Sequence, residues 1–454
     1  MKTKHGTASQ RSEEAGVADE EQRQWVCDIE QFLHDAVQQL EPESREGRRG
    51  PGRPRVLPAL CLWAGLLVCV LQGGGSQLAI WRLLTSRGLW DYPRFSLSDQ
   101  AIYKRLATAG TSALECLFAQ ISELLRARLS PFALKGLVPW ASEVFALDET
   151  TLDPVARKLP ALRDIPTGDG RLLPGKLAGL YDVRRQQWRR IQYIADPLQN
   201  EKVAAAGMVA ELPVGSLILA DLGYFAFPWF DALTDAGYWW LSRLRNKTSY
   251  EVLHVYYQDA DVLDAVVWLG AYRADRAAHA VRLLTVRLGA RTHRYITNVL
   301  DPAQLNAGDM VQLYGRRWDI EMAINLVKTH LNLHLWWSAK PVVIVQQIWA
   351  VLIISQILQA LRLEIAGRAG VEVDEVSMAL LIQYLPMFAQ DGHDPVAYFI
   401  EVGRQAHFIR PSRRIKYEVP FVPPGPIAPL SPSLVLVRTP RYAARKCGRG
   451  KARK

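Results

Sequence analysis

The spacing of apolar positions along this chain changes period twice. From Val56 to about Pro139 it is helical, through the apolar run "VLPALCLWAGLLVCVLQ", then "SQLAIWRLLTSRGLW", then "SLSDQAIYKRLA". From Ser142 it shortens to the β-like runs "EVFALD", "KLAGLYDV", "WRRIQYIAD", "SLILAD" and "YWWLSRLR", with a helix predicted between about Pro197 and Leu212. The second and third runs predict a hairpin that turns around Arg185 to Gln187. Strands followed by strands alternating with helices predict an α/β protein, a mixed sheet under helical cover.

Residues 314 to 330, "YGRRWDIEMAINLVKTH", predict one helix with two faces. At about 100° per residue, Tyr314, Arg317, Glu321 and Lys328 fall within an arc of roughly 60°. Leu313, Ile320, Ile324, Val327 and Leu331 form a stripe beside it that seats the helix on a core. A merely solvated face needs no order of residue types. Here the order is aromatic, cation, anion, cation, with one carboxylate between an Arg and a Lys, which makes this a candidate functional face.

Two apolar stretches pass near the requirements of a membrane span. The first, from Val56, contains Pro58, stops at Gly73 to Gly75 and is a few residues short of the roughly 20 needed. The second, "PVVIVQQIWAVLIISQILQALRL" from Pro341, is long enough, but Gln346, Gln347, Gln356 and Gln359 favour a core helix that hydrogen-bonds them. Both are read as buried helices, with no membrane partner and a cytoplasmic location expected.

The 454 residues suffice for two or three domains, and the 49% apolar share is that of a globular protein. A net charge of +10 and a pI near 9.3 favour a polyanionic partner, nucleic acid first. Cys27, Cys61, Cys69, Cys116 and Cys447 lack CxxC spacing, which suggests neither a zinc site nor a disulfide framework.

Two β-like runs stop at an aspartate, Asp148 and Asp221. The ends of strands in open α/β sheets line the ligand crevice, although Asp is also a common turn residue. With Glu321 there are three carboxylates, a donor set that suits a hard divalent cation such as Mg²⁺ if they converge.

Asp148 in "LDETT", Asp221 in "ADLGYF" and the string of Tyr314, Arg317, Glu321 and Lys328 at spacings of two, three and six intervening residues resemble the motifs of DDE transposases from bacterial insertion sequences, in the cut-and-paste branch with the Tyr-Arg-Glu-Lys (YREK) signature. The resemblance covers roughly Ser142 to Leu363. It implies a ribonuclease-H-like catalytic core with a mainly β insertion between Asp221 and Glu321. The intervening runs "YEVLHVYYQDADVLDAVVW", "AVRLLTVRLG" and "THRYITNV" have that β-rich look. It implies two Mg²⁺ ions, with Mn²⁺ as a substitute, bridged by Asp148 and completed by Asp221 and Glu321. Tyr314, Arg317 and Lys328 are then contacts to the DNA backbone. Double-stranded DNA, both terminal inverted repeats and target, is the implied partner, bound by a homodimer. Where similar proteins can carry a base-stacking Trp, about 28 residues before the Glu, this chain has His293, and Trp268 is the other candidate.

The expected organisation is a polar basic segment over 1–55, an all-helical DNA-binding region over 56–140, the core in two parts at 141–243 and 301–366, the insertion at 244–300, and a C-terminal helical region with a basic tail over 367–454. "GPGRPR" at 50–55 resembles minor-groove-binding hooks, with Arg53 and Arg55 as contacts, though a basic linker fits as well. "SLSDQAIYKRLA" is a candidate recognition helix capped by Ser96 or Ser98 and exposing Lys104 and Arg105, or an ordinary surface helix. The tail "RTPRYAARKCGRGKARK" reads as a non-specific DNA-binding extension. A silent DNA-binding protein of the same fold and a membrane-associated protein are the alternatives; a sugar hydrolase would not need Arg317 and Lys328 beside its acid.

Overall fold

A computed structural model describes residues 56–89, 93–152, 175–271, 275–333, 335–338, 340–391, 394–412, 414, 427 and 429–442. Arg53, Arg55, the rest of "GPGRPR" and most of the basic tail lie outside them. Helices α1 (Ala59–Leu71), α2 (Gln77–Arg82), α3 (Asp99–Thr108) and α4 (Ser112–Arg128) come first. A π-helical turn, Leu83–Arg87, extends α2. Then follow β1 (Val144–Thr151), β2 (Lys176–Asp182), β3 (Gln187–Ile194), α5 (Glu201–Val209), β4 (Leu217–Leu219), α6 (Phe227–Asp235) and β5 (Trp239–Arg243). Four strands succeed them, β6 (Tyr250–Gln258), β7 (Val262–Leu269), β8 (Val281–Leu288) and β9 (Arg291–Thr297). The chain ends in helices α7 (Ala307–Gly315), α8 (Trp318–Asn325), α9 (Pro341–Ala369), α10 (Met378–Asp391) and α11 (Pro395–Glu401).

All nine strands form one sheet in the order β3-β2-β1-β4-β5-β9-β8-β7-β6. Strands β1, β4 and β5 are parallel, and β2 and β3 form the hairpin expected around Arg185 to Gln187. The β-rich stretch between Asp221 and Glu321 is an antiparallel meander, β6 to β9, whose last strand pairs with β5 and so extends the same sheet.

Alternation along β1 sorts its side chains between two layers. Val144 and Ala146 join the cluster that contains α1, α4 and α9, whereas Phe145 and Leu147 join the one under α5 and α6. Asp148 therefore shares the face of Val144 and Ala146, and Glu149 takes the opposite one. Contrary to expectation, β1 does not stop at Asp148 but runs on to Thr151, because β2 goes on pairing with it. Only its parallel pairing with β4 ends early, at Ala146 opposite Leu219. Asp148 sits just past that point, opposite Gly179, where a Cβ would come 2.6 Å from the Trp188 ring.

The single helix expected over Leu313 to Leu331 is three pieces. Helix α7 ends at Gly315, α8 starts at Trp318, and Leu326–His330 is a π-helical turn. A straight 3.6-residue wheel therefore does not describe its faces.

Helix α9 is long and apolar enough to cross a membrane by length and composition, and most of it is buried inside the protein. Its glutamines are bonded within the core. Gln346 donates to the carbonyls of Leu106, Ala109 and Gly110, and Gln356 donates to Ser122 and Trp188 while accepting from the Trp188 amide.

Candidate active site

Each of the three carboxylates is placed by a different element. Asp148 lies on β1 and accepts the amide of Glu149 at 2.9 Å. Asp221 lies two residues beyond β4, where its carboxylate caps a short 3-10 turn by accepting the Gly223 amide at 2.8 Å. Glu321 lies on the first turn of α8, which packs on β1. Arg317 stands between them. Its guanidinium is bonded to Glu321 and lies 3.9 Å from Asp148, with only 13% of its side chain exposed.

This geometry sets the electrostatics. Burial pushes the Asp148 carboxyl up to about 7, the nearby Asp221 and Glu321 charges push the same way, and Arg317 opposes them. Among the described residues no three His, Cys, Asp or Glu side chains stand close enough together to hold a metal ion, Glu321 being engaged by Arg317.

The other residues of the signature are reached despite the broken helix. Tyr314, on the last turn of α7, packs on Tyr295 with ring centroids 5.1 Å apart, and Arg317 lies 5.9 Å over its ring. Burial pushes the Tyr314 hydroxyl up to about 12, so it is a donor at neutral pH. Lys328 is not splayed outward along the helix. From the π turn its ammonium donates to the Thr150 hydroxyl at 3.0 Å and the Thr151 carbonyl at 2.6 Å, which ties it to the end of β1.

Lys104 and Arg105 are elsewhere. On α3, with Ser98 in the capping position, Lys104 is exposed and Arg105 donates to the Leu57 carbonyl at 2.6 Å; neither bonds to the three carboxylates. Of the two base-stacking candidates, Trp268 is 5% exposed with the Arg438 guanidinium 4.2 Å over its ring, whereas His293 is partly exposed beside Tyr295 on β9.

Several neighbours went unread in the sequence. Glu149 forms a buried pair with Lys176 at 2.5 Å on the far face of β1; the alternation in "LDETT" was the available signal. Glu201, at the start of α5, lies over Gly223, where a Cβ would come 2.2 Å from its carboxylate oxygen and 3.0 Å from that of Asp221. This close approach explains the glycine in "DLGY". Lys202 donates to the Gly223 carbonyl at 2.7 Å and anchors the same turn. On the other side a groove of about 400 Å³ is lined by Arg243, Asn246, Tyr250, Thr292 and Arg294, with Arg243 close enough to Tyr314 to lower its pKa.

Comparison with known proteins bears on this constellation. Residues 176–357 match the transposase DDE domain family. That stretch holds Asp221, Tyr314, Arg317, Glu321 and Lys328, and starts after Asp148. The chain is also 26% identical over 168 residues to the transposase InsG for insertion sequence element IS4 of Escherichia coli (strain K12), a match that covers 34% of this chain and spans only 36% of that protein's length. Among solved structures it is similar to the piggyBac transposase in a synaptic complex with hairpin DNA, at 9% identity and a TM-score of 0.38, over 84% of this chain and 77% of that one. A likeness that low decides nothing about the site.

Proposed function

We propose that this protein is a transposase of the cut-and-paste, YREK-signature type. It binds the terminal inverted repeats of its insertion sequence in the cytoplasm and carries out metal-dependent DNA cleavage and strand transfer, acting on DNA as a homodimer. The observation that carries this reading is Arg317 bonded to Glu321 and 3.9 Å from Asp148, whose carboxyl is also pushed up by the Asp221 charge, in a chain whose residues 176–357 match the transposase DDE domain. In this reading β1 to β5 with α5 to α9 are a ribonuclease-H-like core and β6 to β9 its insertion. The proposal keeps the domain division expected from the sequence.

By residue type the donor set suits a hard divalent cation, but among the described residues the three carboxylates are not gathered around one point, and Glu321 is bonded to Arg317. The set consists of carboxylates alone, and burial is the main reason that the Asp148 carboxyl is raised. Asp148, Asp221 and Glu321 would hold two Mg²⁺, or Mn²⁺ in its place, and the chemistry supplied is activation of a water or 3′-hydroxyl and stabilisation of the leaving oxygen. The protein's own contribution is placement. Arg317 exchanges a carboxylate for a phosphate near the scissile bond, a bidentate contact that a lysine would not reproduce. Tyr314 donates to the backbone beside it, and the groove of Arg243 and Arg294 carries the strand away over the insertion.

The test uses linear duplexes carrying the inverted repeats that flank the gene, with Mg²⁺. Asp148→Asn, Asp221→Asn and Glu321→Gln keep side-chain shape but lose charge. Each is expected to abolish cleavage and keep end binding. Full cleavage by Glu321→Gln would remove the assignment.

A further inference from the structure

The N-terminal helices hold a groove that the reading above leaves unused. Between the end of α1 and the π turn Leu83–Arg87 lies a depression of about 540 Å³, lined by Gln72, Gly74, Trp81, Arg82, Ser86 and Arg87. Arg82 and Arg87 are exposed, and neither meets a carboxylate among the described residues. Arg87 is aimed across the groove by a 3.1 Å bond to the Gln72 side chain. From Val56 to Ser98 the sequence has three arginines and a single acidic residue, Asp91.

Two features say where an occupant comes from. The first is the π turn itself, a wide turn that interrupts a helix at the cost of its regular bonding and recurs at functional positions. It sets Ser86 and Arg87 on the groove wall. The second is proximity to the catalytic helix. A Cβ on Gly73 would lie 3.9 Å from the Asn332 amide nitrogen, and Gln77 donates to the Trp337 carbonyl at 3.1 Å. Asn332 lies two residues beyond the other π turn, which carries Lys328.

We infer that this groove is a phosphodiester-binding site, in which Arg82 and Arg87 grip the backbone of duplex DNA away from the scissile bond. The inference rests on the proposed function. The ligand is backbone rather than base, because guanidinium, hydroxyl and side-chain amide groups around an open, shallow depression match phosphate oxygens and sugar. No base edge needs to enter. Arg82 and Arg87 thus continue the path that begins at Arg317 and Lys328, and the α1 to α2 turn fixes the angle at which DNA leaves the site.

The experiment measures binding of the full chain to a random-sequence duplex of roughly 40 bp, about four helical turns, by fluorescence anisotropy across a salt series. Arg82→Ala/Arg87→Ala is expected to flatten the slope of log affinity against log salt by about 1.8, the value for two phosphate contacts. Lys135→Ala/Arg404→Ala, which removes the same charge from exposed positions elsewhere, is the control. A slope unchanged in the groove variant, or flattened equally in the control, overturns the inference. Melting followed by circular dichroism on each variant identifies any loss of fold, and Arg82→Gln/Arg87→Gln then replaces the alanine pair. Failure of the wild-type chain to bind DNA at low salt would instead remove the proposed function.

Discussion

Arg317 and Glu321 are bonded to each other one helical turn apart, with the guanidinium also 3.9 Å from Asp148. The cation that should meet DNA is thus holding a carboxylate that should meet metal. In the proposed reading the two roles exclude each other, and arrival of a phosphate at Arg317 is expected to free Glu321. Arg317→Ala is therefore expected to bind Mn²⁺ without DNA at least about tenfold, and up to about a hundredfold, more tightly than wild-type, since a charge-assisted pair worth about 1.5–3 kcal/mol no longer competes. The same variant loses cleavage. Calorimetric titration with Mn²⁺ checks the first claim, and weaker binding by the variant would mean that Arg317 assembles the carboxylates rather than restraining one.

Lys328 holds the end of β1 through Thr150 and Thr151. Its removal should register in two independent measurements. Lys328→Ala is expected to lose about 1 kcal/mol of stability, the scale of a hydrogen bond to a partly exposed charged group. Its DNA binding should have a salt slope shallower by about one contact. A change in stability alone would confine Lys328 to bracing the strand.

The strands from Ser142 onward, the hairpin at Arg185 to Gln187 and the β-rich stretch before Glu321 were legible in the sequence because short apolar runs bounded by turn residues are a local signal. The α7–α8 break was not. Residues Tyr314 to Leu331 keep a helical apolar spacing straight through it, and the contacts made at the junction are distant in sequence, the guanidinium of Arg414 donating to the Gly315 carbonyl and to Asp319. Likewise "EVFALD" gives no hint that β1 continues to Thr151, since the partner that extends it, Lys176 to Gly179, lies beyond a long connection. The carboxylates were legible as types. Their engagement by Arg317 depends on tertiary placement that no spacing encodes.

Gln356 satisfies both backbone groups of Trp188 and bonds Ser122 from inside the long apolar helix α9. An apolar replacement of similar size cannot do this. Gln356→Leu leaves a buried N–H and a buried carbonyl without partners, at about 1–3 kcal/mol for each group. Urea denaturation should show the unfolding free energy falling by that amount, with the midpoint lowered and the slope unchanged. A midpoint that does not move would mean that Trp188 finds other partners and that the glutamine is dispensable.

Arg414 joins three parts of the chain. It donates to Asp319 at 2.7 Å, to Asp374 at 2.9 Å and to the Gly315 carbonyl at 2.6 Å, and Asp319 is further held by Arg316 and Gln186. Burial alone would raise the Asp374 carboxyl, but the bond from Arg414 and the charge of Arg362 outweigh it and hold the carboxyl below its ordinary range. A depressed folded-state pKa contributes stability that is fully present above the unfolded value, about 3.9, and is lost as pH falls through the folded one. Arg414→Ala should therefore cost about 2–3 kcal/mol at neutral pH, and its gap from wild-type should narrow below about pH 4 as Asp374 is protonated in the wild-type protein too. Because Arg414 spans the junction that carries Arg317 and Glu321, the variant should also cleave more slowly at unchanged DNA affinity. Thermal melts from pH 3 to 8 test the linkage, and a gap that stays constant down to pH 3 would mean that Arg414 acts through the Gly315 carbonyl and Asp319 rather than through Asp374.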